Sequence, residues 1–178
     1  MSESHNRRSI RLKGFDYSQD GLYCITICTF DWQETLGQSL DGQMHISPFG
    51  TCVLQAWSSI PLHFPRVRLR EFVLMPNHLH GIIELGSAYD VGARHDVPLP
   101  ASSESFGQST PGTIPTIVRL FKSGVTKAVN ETRNTPGERF WQRNYHEHII
   151  RDKQDYMYIA EKIRTNPQTW EEDQFFAP

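Results

Sequence analysis

Two runs of strand-forming residues, Arg66 to Leu74 and His78 to Leu85, are separated only by Met75-Pro76-Asn77. The first run alternates in character, and the break carries a proline that the interior of a strand ladder does not accept, so the link is hairpin-like. Gly21 to Phe30 (GLYCITICTF) is β-branched and aromatic and follows the turn-forming Ser18-Gln19-Asp20-Gly21, the pattern of a buried strand. Asp41-Gly42 is a hairpin signal with a second strand at Gln43–Ile46 behind it. Helical patterns lie between the strands. Ser47 reads as an N-cap with Pro48 at the first helical position, and Phe49, Val53, Trp57 and Ile60 recur at helical spacing until Pro61. From Ile114, the residues Ile117, Val118, Phe121, Val125, Ala128 and Val129 trace an amphipathic helix. A loop through Asn134-Thr135-Pro136-Gly137 leads to Phe140-Trp141 and a short strand at His148–Ile150. Asp152 then caps a last helix with Tyr156, Ile159, Ala160 and Ile163 inward, ending at Asn166-Pro167. Intermixed strands and helices with hairpin-like strand links predict an α+β fold, a central antiparallel sheet with helices packed on it.

A chain of 178 residues suits one domain and is short for two. Residues 86–113 are dominated by Gly, Ser, Pro and Asp without periodicity, which reads as a long loop or insert within residues 1–178. Residues 1–14 form a polar, basic arm with no apolar stretch behind it, unlike a secretory signal. No apolar run approaches the ~20 residues of a membrane span. Cys24, Cys28 and Cys52 lack metal-type spacing, and Cys24 and Cys28 read as reduced core residues of a cytoplasmic protein. The formal net charge of −2 argues against recognition of a polyanion by the global field. Basic residues nonetheless cluster: Arg7, Arg8, Arg11 and Lys13; Arg66, Arg68 and Arg70; and Arg119, Lys122, Lys127, Arg133, Arg139 and Arg143. Each group suits a phosphate backbone and equally suits a solvated face.

The sharpest local feature is His78-Leu79-His80. In a strand, side chains alternate faces, so the two imidazoles point the same way with Leu79 buried behind them. Such a pair can bind a divalent cation able to polarise a phosphate. Taken alone, the pattern is also that of two surface histidines, in a chain with eight histidines. His146 and His148 repeat the spacing and read more readily as a surface or polyanion-facing pair than as a second metal site.

The segment FVLMPNHLHGIIEL, with Asn77-His78-Leu79-His80-Gly81 inside it, resembles the His-hydrophobic-His strand of single-tyrosine HUH transposases. Three further blocks match REP-associated tyrosine transposases in order: RRSIRLKGFDYSQDGLYCITICTF, TIPTIVRLFKSGVTKAVN, and FWQRNYHEHIIRD followed by IRTNPQTWEED. Together they span most of the chain outside residues 31–65 and 86–112. The resemblance implies a ferredoxin-like αβ fold, a homodimer, and action on single-stranded DNA near hairpins. It also implies Mg²⁺ or Mn²⁺ held by His78, His80 and a polar residue of the last helix, which here matches Asn166. In the family a tyrosine one helical turn before that ligand attacks the scissile phosphate and forms a 5′-phosphotyrosine link, which stores the phosphodiester energy.

At that position this chain carries Lys162, which cannot serve as that nucleophile but can contact a phosphate as a cation. Tyr158, another turn up, is the best substitute by position, although eight residues place it roughly 12 Å along the axis from Asn166 and about 80° around it. Tyr156 falls on the inferred core face. The resemblance together with the charge pattern suggests Arg7, Arg8, Arg11, Lys122, Lys127, Arg143 and Tyr145 as DNA contacts, and Phe140 and Trp141 as base-stacking or core aromatics. Three functional readings remain at this point: a metal-dependent DNA strand transferase using a displaced tyrosine, a hairpin-binding protein that lacks the nucleophile, and a metal-dependent phosphodiesterase in which water replaces the tyrosine.

Overall fold

The computed structural model describes residues 15–86 and 110–176. The basic arm with Arg7, Arg8 and Arg11, and most of the Gly/Ser/Pro-rich insert, lie outside the described residues. In chain order the elements are β1 (Gly21–Cys28), β2 (Gly37–Leu40), β3 (Gln43–Ile46), α1 (Pro48–His63), β4 (Val67–Leu74), β5 (His78–Leu85), α2 (Ile114–Arg133), β6 (His146–Ile150) and α3 (Lys153–Thr165), with a 3-10 segment at Asn166–Glu172. The main sheet is antiparallel throughout, with spatial order β4-β5-β1-β6. Leaving out the separate β2–β3 hairpin and the terminal α3, the order β1-α1-β4-β5-α2-β6 is the βαββαβ ferredoxin-like arrangement.

Local chemistry sets most boundaries as expected. Ser47 caps α1 through its side chain and Pro48 occupies the first turn. Asp152 caps α3 by accepting from the Asp155 N–H at 2.9 Å. Asp41 and Gly42 both adopt positive φ, as a two-residue primed turn requires, and thereby pair β2 with β3. The stop expected at Pro61 does not occur: α1 continues to His63. A proline so near the end of a helix forfeits a single backbone bond, and the turn is closed by Phe64 N–H to the Ile60 carbonyl at 3.0 Å.

Both faces of the sheet are covered. Tyr23, Ile25, Ile27, Leu79, Ile83 and Leu85 turn toward α1 and α2, which contribute Val53, Trp57, Ile60, Ile117, Phe121 and Val125 to one core. The opposite face carries a smaller core in which Ile82 and Ile150 meet Ala160 and Ile163 of α3. The first core presses closely on the backbone of β5. Trp57 stacks on Phe72 with ring centroids 4.9 Å apart, and a Cβ added at Gly81 would stand 2.4 Å from Trp57 Cζ2 and 3.1 Å from Phe72 Cδ2. Glycine at position 81 thus lets the Trp57 ring lie against the strand directly beside His80.

Gly81→Ala must displace that stacked pair. Its expected cost is about 1–3 kcal/mol of unfolding free energy, read as a lower urea midpoint at unchanged slope; an unchanged midpoint would mean that Trp57 moves aside freely.

Candidate metal centre

Strand alternation places His78 and His80 on the α3 side of β5, opposite Cys28 and Thr26 of β1 respectively. They are not surface residues. His78 is fully buried, and its ring lies 4.5 Å from that of His80. The His78 Nδ1 is 2.8 Å from Asn77 Oδ1, and the His80 Nδ1 is 2.7 Å from Thr26 Oγ1. Each ring is therefore anchored through Nδ1, leaving Nε2 for another partner. The buried Nε2 of His78 has none among the described residues.

A third group comes from the acidic run Glu171-Glu172-Asp173, outside the candidates that the sequence suggests. After α3 the 3-10 segment turns the chain back, and Asp173 ends it with Oδ2 4.0 Å from His78 Nε2. One ligand atom each from His78, His80 and Asp173 lies within 4.8 Å of the others. Asn166, expected as the third ligand, stands at the end of α3 and donates from Nδ2 to Asp173 Oδ2 at 2.7 Å. Its own Oδ1 is buried with no donor among the described residues. The centre thus gathers a carboxylate and two imidazoles, all able to donate electron pairs. Ligand bonds of ~2.0–2.2 Å separate two ligand atoms by up to roughly 4.4 Å, so the His78–Asp173 spacing already suits a bound divalent cation. The donor set fits one.

Burial controls the protonation of the pair. It pushes the His78 pKa down to about 2, helped by His80. Burial pushes His80 down to about 4 against the opposing pull of Asp173, with His146 and Lys162 lowering it further. Both rings are neutral near pH 7, the form that ligates a metal. Phe175 lies over them, its ring 4.8 Å from His78 and 6.0 Å from His80, and stacks on Trp32 at 5.2 Å.

The other sequence candidates are scattered around this centre. Lys162 and Asn166 lie four residues apart on α3, and the Lys162 charge is felt at His80. Tyr158 is 61% exposed, with Lys162 Nζ 4.8 Å from the centroid of its ring. Tyr156 donates its hydroxyl to Glu71 at 2.6 Å, beside the α3 core. Lys122 does not reach outward as expected: its ammonium donates to the carbonyls of Gln142 and Asn144 at 2.6 and 2.9 Å, because the 142–144 segment folds back over α2. Tyr145 likewise packs against the helix-side core, as do Phe140 and Trp141. Lys127 and Arg143 line a cleft of about 1210 Å³ between α2 and residues 136–143, a separate feature from the histidine centre. His148 is held 2.8 Å from Asp155. The Arg66-Arg68-Arg70 stripe is largely neutralised, with Arg66 on Asp20 at 2.6 Å and Arg68 and Arg70 both facing Glu84.

No family model matches the sequence. An uncharacterized protein of Haemophilus influenzae is 45% identical over 173 residues, covering 97% of this chain and 94% of that protein. A solved REP-associated tyrosine transposase bound to a REP hairpin superposes with a TM-score of 0.56 at 20% identity, covering 96% of this chain and 74% of that one. The second likeness establishes a transposase-like fold. No helix among the described residues is long and apolar enough to cross a membrane.

The neutral histidines make acid stability a test of this geometry. Below the ordinary histidine pKa of 6.5 the unfolded chain takes up protons that the folded chain refuses until about 4 at His80 and about 2 at His78. Stability of the metal-free protein is therefore complete above pH 6.5 and declines as pH falls toward 4, on the order of 1 kcal/mol per pH unit for each histidine. Urea titrations at pH 7, 6 and 5 read this directly, and a flat midpoint would contradict burial of the neutral rings.

Proposed function

The chain belongs to the family of the Haemophilus influenzae protein, and from its transposase-like fold and histidine centre we propose a transposase-like protein that binds single-stranded hairpin DNA, cleaves it with the help of a divalent metal and transfers the strand. One observation carries this reading: two neutral imidazoles and a carboxylate converge at one end of the sheet, with a buried Nε2 that has no partner among the described residues. His78, His80 and Asp173 would hold the cation, which when bound would polarise a phosphate oxygen and stabilise the charge developing there. Imidazole nitrogens beside a single carboxylate favour Mn²⁺ over Mg²⁺, whose preference is for oxygen ligands. Asn166 acts behind Asp173, steadying the carboxylate through its Nδ2. Lys162, close enough for its charge to act on His80, supplies a cation for the DNA backbone.

Tyr158 is the proposed nucleophile, reached by movement of α3 or by docking of DNA along its exposed face. Its phenolic oxygen bonds to phosphorus while the bond to the 3′ oxygen breaks. The phenol loses its proton and the departing oxygen gains one, so the phosphodiester energy stays in the phosphotyrosine link. A second reading, hairpin binding without cleavage, is favoured by the lysine at the family's tyrosine position and by its ammonium lying against the Tyr158 ring.

Labelled single-stranded hairpin DNA incubated with the protein and Mn²⁺ separates these readings on a denaturing gel. A slow-migrating adduct is expected, abolished in His78→Ala and Tyr158→Phe. Cleavage lacking any adduct would replace the tyrosine with water, and firm binding with intact DNA would establish the second reading.

A further inference from the structure

Asn77 lies between the histidine pair and the chain that carries Asp173, and its side chain is bonded to both. The residue is completely buried in the turn between β4 and β5. Its Nδ2 donates to the Phe175 carbonyl at 2.7 Å, and its Oδ1 stands 2.8 Å from His78 Nδ1. Hydrogen-bond chemistry leaves one assignment. A backbone carbonyl only accepts, so the amide end facing Phe175 is the NH₂ group. The end facing His78 is then the oxygen, which also only accepts, so His78 Nδ1 must carry the proton. A neutral imidazole has a single N–H, and Nε2 is left as a bare lone pair. That atom is buried without a hydrogen-bond partner among the described residues, 4.0 Å from the Asp173 carboxylate.

The same amide also restrains the third ligand. The Phe175 N–H donates to Asp173 Oδ1 at 2.8 Å, so the residue whose carbonyl Asn77 grips is bonded in turn to the Asp173 carboxylate. From Asn77 one path runs directly to His78, and another runs through Phe175 to Asp173.

We propose that Asn77 is a positioning residue: it selects the Nδ1–H tautomer of His78, so that Nε2 faces the centre, and it fixes the segment that brings Asp173 to the same point. The proposal rests on the metal-centre reading for its effect on affinity, while the tautomer stands independently of any metal. Its two bonds can be separated chemically. Asn77→Asp keeps an acceptor for His78 Nδ1–H and loses the donor to Phe175. Asn77→Ala loses both.

Imidazole ¹⁵N NMR of the metal-free full chain at pH 7 should show His78 purely as the Nδ1–H tautomer in the wild type and in Asn77→Asp. Asn77→Ala should show a substantial Nε2–H population. Amide hydrogen exchange at Asp173 and Phe175 should accelerate in both variants. Calorimetric titration with Mn²⁺ alone should show a 10–100-fold weaker site in Asn77→Ala. An Nε2–H tautomer in the wild type, or a folded Asn77→Ala variant with unchanged tautomer and Mn²⁺ affinity, overturns the proposal. Should Asn77→Ala fail to fold, Asn77→Asp decides: retention of Nδ1–H with faster exchange at residues 173 and 175 supports the role, and Nε2–H or unaltered exchange refutes it. A wild type that binds no Mn²⁺ yet holds the Nδ1–H tautomer sinks the metal reading and upholds tautomer selection by Asn77.

Discussion

The register between β5 and β1 is the constraint on which the centre depends. Side chains along β5 alternate strictly, with Leu79, Ile83 and Leu85 in the helix-side core and His78, His80 and Ile82 under α3. A slip of one residue would drive both imidazoles into the larger core and expose Leu79 and Ile83 to the other face. Apolar packing, a non-specific force, thereby fixes the direction of two polar groups to within the tolerance that ligation needs. Gly81 tightens the arrangement, because the indole of Trp57 lies against the backbone where a side chain would otherwise stand.

Much of this architecture was legible in the order of residues. A strand-forming run bounded by turn chemistry identified β5 with its observed limits, and the apolar spacing from Ile114 onward identified α2. β2 went unseen because Gly37–Leu40 has no apolar alternation, and the neighbouring primed turn makes it a strand. At the centre, the histidine pair was legible as a pattern within one strand, whereas its burial was not. Asp173 was hidden for a different reason: it approaches His78 only because a 3-10 segment after α3 reverses the chain, and no local spacing encodes that return. Asn166, expected as a ligand from the resemblance, is bonded through its amide to the Asp173 carboxylate.

Charge shows the same division between composition and contact. Clustered arginines and lysines suggested faces for a phosphate backbone, yet Glu84 takes up Arg68 and Arg70, and main-chain carbonyls take up Lys122. Lys127 and Arg143 keep substantial exposure beside the α2 cleft, and Lys162 and Arg164 keep theirs on α3. Side chains with long stems reach whichever acceptor the fold offers, and sequence proximity says little about which acceptor that is.

The position of β1 has a kinetic consequence. It is the earliest strand of the main sheet in the chain and sits in the sheet interior, yet its neighbours β5 and β6 pair through contacts such as Cys28 with His78 and Thr26 with His146. Closing such distant pairs is slow relative to helix formation. Until β5 arrives, a β-branched, nearly uncharged segment has two unsatisfied edges, the condition under which chains meet one another instead of themselves. While unpaired, β1 is therefore the strand most open to pairing between chains, and dilution or a holding chaperone should raise the yield of folded chain.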